Sequence, residues 1–114
     1  MLSTDVFLTS ENSCNIIVIN RLGVTWSILC DDVKKEIFMY RNLLQHMEDN
    51  ENFNEFQGRD SFTDIEYDSV ELELRFVSYT VVCGRDMKST LRFKKDEGIN
   101  LVNQIIELLT KTNL

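Results

Sequence analysis

His46 is the only histidine of the chain, and Glu48 and Asp49 follow it closely. An imidazole beside carboxylates is the residue pattern of a general base. Glu71 and Glu73, two apart, would put two carboxylates on one face of a strand, where they could hold a cation. Cys14, Cys30 and Cys83 are odd in number and widely spaced, which suits neither a disulfide framework nor a zinc site. Catalysis needs a nucleophile or an acid–base pair within hydrogen-bond reach in a cleft. Glycine-rich phosphate loops, H-E-x-x-H and G-x-S-x-G are all missing from the sequence. His46 is therefore expected to be a solvated helix residue, and the Glu71/Glu73 face to be turned to water. Cys14 and Cys30, on strands in apolar company, are expected to be inert thiols. The expectation is of no enzyme: no catalytic residue, no metal and no cofactor.

Charge is the informative feature. Glu48, Asp49, Glu51, Glu55, Asp60, Asp64, Glu66, Asp68, Glu71 and Glu73 fall in one stretch that contains a single cation, Arg59. The formal net charge of the 114-residue chain is -7. Such a field repels nucleic acid and anionic lipid and attracts a basic partner. Phe53, Phe56, Phe62 and Tyr67 are interleaved with the acids, and aromatics within a charged rim resemble an interface core. A charge run is more often simply a solvated face. The hydrophobic share of 43% is enough for a modest core, which excludes a disordered acidic tail. No apolar run reaches the roughly 18 residues of a membrane span. Met1 to Asp5 lacks the basic and apolar regions of a secretory signal, so a cytoplasmic protein is expected.

Apolar periodicity predicts the elements that position these residues. Val6 to Thr9, Asn15 to Asn20 and Val24 to Cys30 read as strands, with Trp26 as a core anchor. Asp31-Asp32 opens a helix whose stripe is Ile37, Tyr40, Leu44 and Met47, with Leu43 beside it. Asn50 to Asp60 reads as a connection pinned by Phe53 and Phe56. From Ser61 the period is two, through Val70, Leu72, Leu74 and Phe76. The apolar set then shifts to Val77, Tyr79, Val81 and Cys83, which predicts a bulge near Phe76-Val77. A turn at Gly84-Arg85-Asp86 leads to a strand with Leu91 and Phe93 inward. Asp96 is the expected N-cap of a last helix carrying Leu101, Val102, Ile105, Ile106, Leu108 and Leu109. The fold class is α+β: an antiparallel β-sheet with one middle helix and a C-terminal helix packed on it, in a single domain over residues 1–114.

The order of these segments carries a resemblance. Leu43 to Met47, then Phe53-Asn54-Glu55-Phe56-Gln57-Gly58, Ser61 to Leu72, Leu91-Arg92-Phe93 and Leu101 to Leu109 resemble small bacterial immunity proteins. That family accompanies polymorphic toxins of the contact-dependent growth inhibition and wall-associated types. The likeness spans about the last two-thirds of the chain and lies in spacing, not in a diagnostic motif. It implies a cytoplasmic bacterial protein that binds the C-terminal domain of a cognate toxin as a heterodimer and blocks it. Many such toxins are nucleases with basic surfaces, which suits an acidic inhibitor. The expected partner-binding set is Glu48, Asp49, Glu51, Phe53, Glu55, Phe56, Asp60, Asp64, Glu66, Tyr67, Asp68, Glu71 and Glu73. Nucleic acid and membrane are not expected partners. The alternatives are a type III secretion chaperone, which is also small, acidic and α+β, and a phage-type acidic inhibitor that mimics DNA.

Overall fold

The computed structural model describes residues 3–8, 14–19, 25–30, 32–57 and 63–112. Strands β1 (Ser3–Leu8), β2 (Cys14–Ile19) and β3 (Thr25–Cys30) form an antiparallel three-stranded sheet in that order. Helix α1 (Val33–Glu48) follows. Strands β4 (Phe53–Gln57), β5 (Thr63–Asp68), β6 (Glu73–Val82) and β7 (Arg85–Lys94) make a second antiparallel sheet, also in chain order. Helix α2 (Lys95–Thr112) closes the chain. The fold is α+β, as expected, but its strands divide into two sheets.

Both helices form where apolar residues recur at helical spacing. Asp32 caps α1: its side chain accepts from the backbone N–H groups of Lys34 at 3.1 Å and Lys35 at 3.3 Å. Val33, Ile37, Tyr40, Leu43 and Met47 are buried along the inner face of α1, and Leu44 is half-buried beside them. Leu101, Val102, Ile105 and Leu109 line α2 in the same way. They meet Phe53, Ile65, Tyr67, Leu74, Phe76, Leu91 and Phe93 from the second sheet. Val18 of β2 belongs to the same buried cluster. Phe76 and Phe93 pack edge to face at 6.1 Å, an arrangement their ring quadrupoles favour. The side chain of Trp26, the expected anchor, lies outside the described residues.

Four expectations are corrected. Residues 53–57 are a strand, β4, within what reads as a connection. Its apolar residues, Phe53 and Phe56, are three apart, so no period of two marks it. The bulge near Phe76 is not formed: β6 pairs with β7 without interruption from Glu73↔Lys94 to Val82↔Arg85. The apparent phase slip arises because Val70 and Leu72 lie in the turn before β6, while Val77 is buried on the sheet's opposite face. The β6–β7 turn is Cys83-Gly84, both at positive φ (51° and 74°), as a two-residue hairpin turn requires. Finally, α2 begins at Lys95, directly after β7, so Asp96 sits in its first turn and does not cap it.

Gly98 sets how closely α2 approaches. A Cβ there would lie 2.9 Å from Met47 Cε and 3.1 Å from Leu74 Cβ. Methionine can swing aside, but Leu74 Cβ is tied to the β6 backbone. Gly98→Val should therefore lower stability by about 2 kcal/mol, the usual scale of overpacking, read as a shifted midpoint in urea unfolding.

Candidate functional site

Cross-strand pairing sorts the acidic stretch. Phe53, Tyr67, Leu74 and Phe93 are register partners across the sheet and face the helices. Asn54, Glu66, Arg75 and Arg92 form the adjacent row on the outer face, followed by Asp68, Glu73 and Lys94. Two cross-strand pairs on this face carry like charges, Asp68 opposite Glu73 and Arg75 opposite Arg92, which alone would destabilise the sheet.

Diagonal ion pairs resolve both. Arg75 Nη2 donates to Asp68 Oδ2 at 3.2 Å, Arg75 Nε to Glu73 Oε1 at 2.6 Å and Arg75 Nη1 to Glu66 Oε1 at 3.4 Å. Arg92 Nη1 reaches the same Glu73 oxygen at 2.6 Å. One guanidinium thus serves three carboxylates. The Arg75 hydrogen bond, with help from Arg92, holds the Glu73 carboxyl below its usual range. Asp68 is lowered too, first by the backbone N–H groups of Glu71 and Val70 and then by Arg75. Arg75 itself is held more firmly protonated, chiefly by Glu73.

Asp64 lies further along this face. Burial raises its pKa, and the Asn54 side chain, donating at 2.8 Å, offsets part of the rise. Near it, exposed Phe56 and Tyr79 meet edge to face at 6.4 Å. Lys88, Arg92 and Lys94 of β7 line the far side of the face. The outer face is thus acidic along β5 and basic along β7.

Glu48, Asp49, Glu51 and Glu71 gather at one end of the molecule. The turn after α1 and the turn between β5 and β6 are tied by three side-chain hydrogen bonds. Tyr67 Oη donates to Asn50 Oδ1 at 2.6 Å, Asn50 Nδ2 to the Ser69 carbonyl at 3.2 Å, and the Ser69 N–H to Asn52 Oδ1 at 2.8 Å. Asp68 Oδ1 shapes the second turn by accepting from the N–H groups of Val70 and Glu71. Glu48, Asp49, Glu51 and Glu71 are exposed there. Among the described residues, none of Glu48, Asp49 and Glu71 has an ion pair; Glu51 lies 3.8 Å from His46 Nδ1. Val70 is 85% exposed and Leu72 46% exposed between these acids.

The expected partner-binding set is therefore split. Phe53 and Tyr67 are core residues, so neither offers aromatic surface. Glu66, Asp68 and Glu73 face outward but are engaged by arginine. Glu71 is in a turn and Glu73 in a strand, so they are not a carboxylate pair on one strand face. Glu55 is exposed beside α1, apart from both groups. Asp60 lies outside the described residues, as does Phe62. His46 is half-exposed, donates from Nδ1 to the Asn52 carbonyl at 3.1 Å and packs edge-on against Phe53. It is thus a turn-stabilising residue as well as a helix residue. Val70 and Leu72 were hidden by their place in an alternating apolar run. Asp68-Ser69, a turn-forming dipeptide, is the signal that could have placed them.

The chain matches no family model, no curated protein and no solved structure. Among the described residues, no group of three or more His, Cys, Asp or Glu could hold a metal ion. Among the described residues, no helix is long and apolar enough to cross a membrane.

The Arg75 network has a measurable pH signature. Carboxyls with lowered folded-state pKa values add stability above their unfolded values, and that stability is lost as pH falls through the folded ones. Arg75→Met should thus lower the melting temperature at pH 7, by leaving three neighbouring carboxylates without their shared cation. The gap to the wild type should narrow below about pH 4, as thermal melts across a pH series would show.

Proposed function

We propose that this chain is a protein-binding inhibitor that captures a basic partner on its acidic end, most specifically an immunity protein for a cognate toxin domain. The observation that carries the reading is the pair of joined turns. They bring the segment bearing Glu48, Asp49 and Glu51 to the same end as Glu71 and the exposed Val70 and Leu72. Exposed apolar side chains at the same end as carboxylates that no lysine or arginine engages have the composition of a docking surface with a polar rim. Burying carboxylates against cations of a partner is less costly where no internal cation must first be displaced. The sheet face lacks that advantage, because its carboxylates already have Arg75 and Arg92.

An acidic surface on a rigid frame accelerates capture of a basic protein, and the effect weakens as salt screens it. The hydrogen bonds that Tyr67 donates to Asn50 and that Asn52 accepts from Ser69 fix the turns in advance, so little ordering cost falls on binding. Speed is what an inhibitor needs if it must meet a nuclease before the nuclease meets its substrate.

Co-expression with the toxin domain encoded beside it tests the reading: cells survive if it is correct, and unprotected cells sink it. In purified components, Glu51→Lys with Glu71→Lys should slow association roughly tenfold or more at low salt, with a smaller salt dependence than the wild type. Asp96→Lys, an exposed change on α2, is the control and should shift the rate far less. Equal rates for all three proteins would remove the acidic end from the interface.

A further inference from the structure

The outward face of α1 carries a charge order that the folded monomer does not use. Lys34, Phe38, Asn42, Gln45 and Asp49 form one exposed stripe, flanked by Lys35 and Glu48. Lys34 and Lys35 stand in the first turn and Glu48 and Asp49 at the last. A helix dipole prefers the opposite order. Asp32 and Glu36 offset part of the cost at the start, and His46 stands near the end. Among the described residues, Lys34, Lys35, Glu48 and Asp49 form no ion pair that would explain their placement. Phe38, near the middle of the stripe, is 74% exposed. A groove beside it is lined by Lys34, Lys35, Met39, Asn42 and Glu55.

We propose that this face of α1 docks on the same face of a second copy, with the two helices antiparallel about a two-fold axis near Asn42. The antiparallel arrangement sets Lys35 beside Asp49 of the second copy and Lys34 beside Glu48, because each pair lies on the same flank of the stripe, twice over by symmetry. Each Phe38 then lies against Gln45 of the other helix, beside the groove. The two helix dipoles also oppose. The contact is isologous and closes at two copies, the commonest form of self-association. A single helix face is a small interface, so the dimer is weak, populated at high protein concentration and loosened by salt. The contact does not depend on the proposed inhibitor role. It uses Glu48 and Asp49 but not Glu51 or Glu71, so the two can fail separately.

Sedimentation velocity on a concentration series at low salt tests it without any partner. The wild type should pass from monomer to dimer, and added salt should shift it back. Lys34→Glu with Lys35→Glu, and separately Glu48→Lys with Asp49→Lys, should each remain monomeric where the wild type dimerises. Both variants bring α1 closer to the charge order its dipole favours, so their melting temperatures should equal or exceed that of the wild type. Loss of the dimer therefore cannot be ascribed to unfolding. An equimolar mixture of the two should recover dimer mass, because the acidic face of one then opposes the basic face of the other. Phe38→Ser should weaken the dimer at least tenfold. A wild type that stays monomeric throughout, a dimer unaffected by the reversals, or a mixture that stays monomeric would each overturn the proposal.

Discussion

Asp68 and Glu73 stand directly opposite each other on neighbouring strands, and so do Arg75 and Arg92. Neither pair could stand alone on one sheet face without repulsion. Their offset by one row turns two conflicts into one network: Arg75 reaches back to Asp68 and across to Glu66, while Glu73 is held by both arginines. The pairing of β5, β6 and β7 depends on this compensation. So does the charge distribution of the molecule, because the arginines cancel carboxylates on the sheet face and leave the two turns at the end as the concentrated negative surface.

The same strands connect that surface to the core. Tyr67 lies with its ring among the buried residues and its hydroxyl on Asn50, so one side chain joins the packing of the sheet to the shape of the turn. The Leu72 carbonyl accepts from the N–H of Lys95 at 2.9 Å, tying the second turn to the start of α2. Asn50 and Leu72 both adopt positive φ (53° and 55°). That is ordinary for asparagine but costs a leucine of order 1 kcal/mol or more. The strain is tolerated because hydrogen bonds on either side determine the turn, and it leaves Leu72 partly in solvent.

Much of the architecture was legible in the sequence. The stripe from Ile37 to Met47 and the apolar face from Leu101 to Leu109 announced both helices, since a period of 3.6 needs only local information. Leu91 and Phe93 were correctly placed inward. Strand β4 was not legible, because an edge strand with Phe53 turned in and Phe56 turned out breaks the alternation that identifies strands. Val70 and Leu72 continued an alternation that the backbone interrupts with a turn. The division of the acidic surface could not be read at all: Arg75 lies just beyond the acidic stretch and Arg92 nineteen residues from Glu73, and only strand register brings them together. A linear count of charge therefore overstated the field on the sheet and concealed its concentration at the end.

Backbone hydrogen exchange measured with and without the proposed partner, a toxin domain, tests most directly whether the uncompensated end, and not the sheet face, is the surface that would bind it. The account predicts slowed exchange in residues 49–52 and 69–72 on binding, with residues 63–66 and 88–92 of the sheet unchanged. Slowing confined to the outer strands of the sheet, with both turns unaffected, would contradict it.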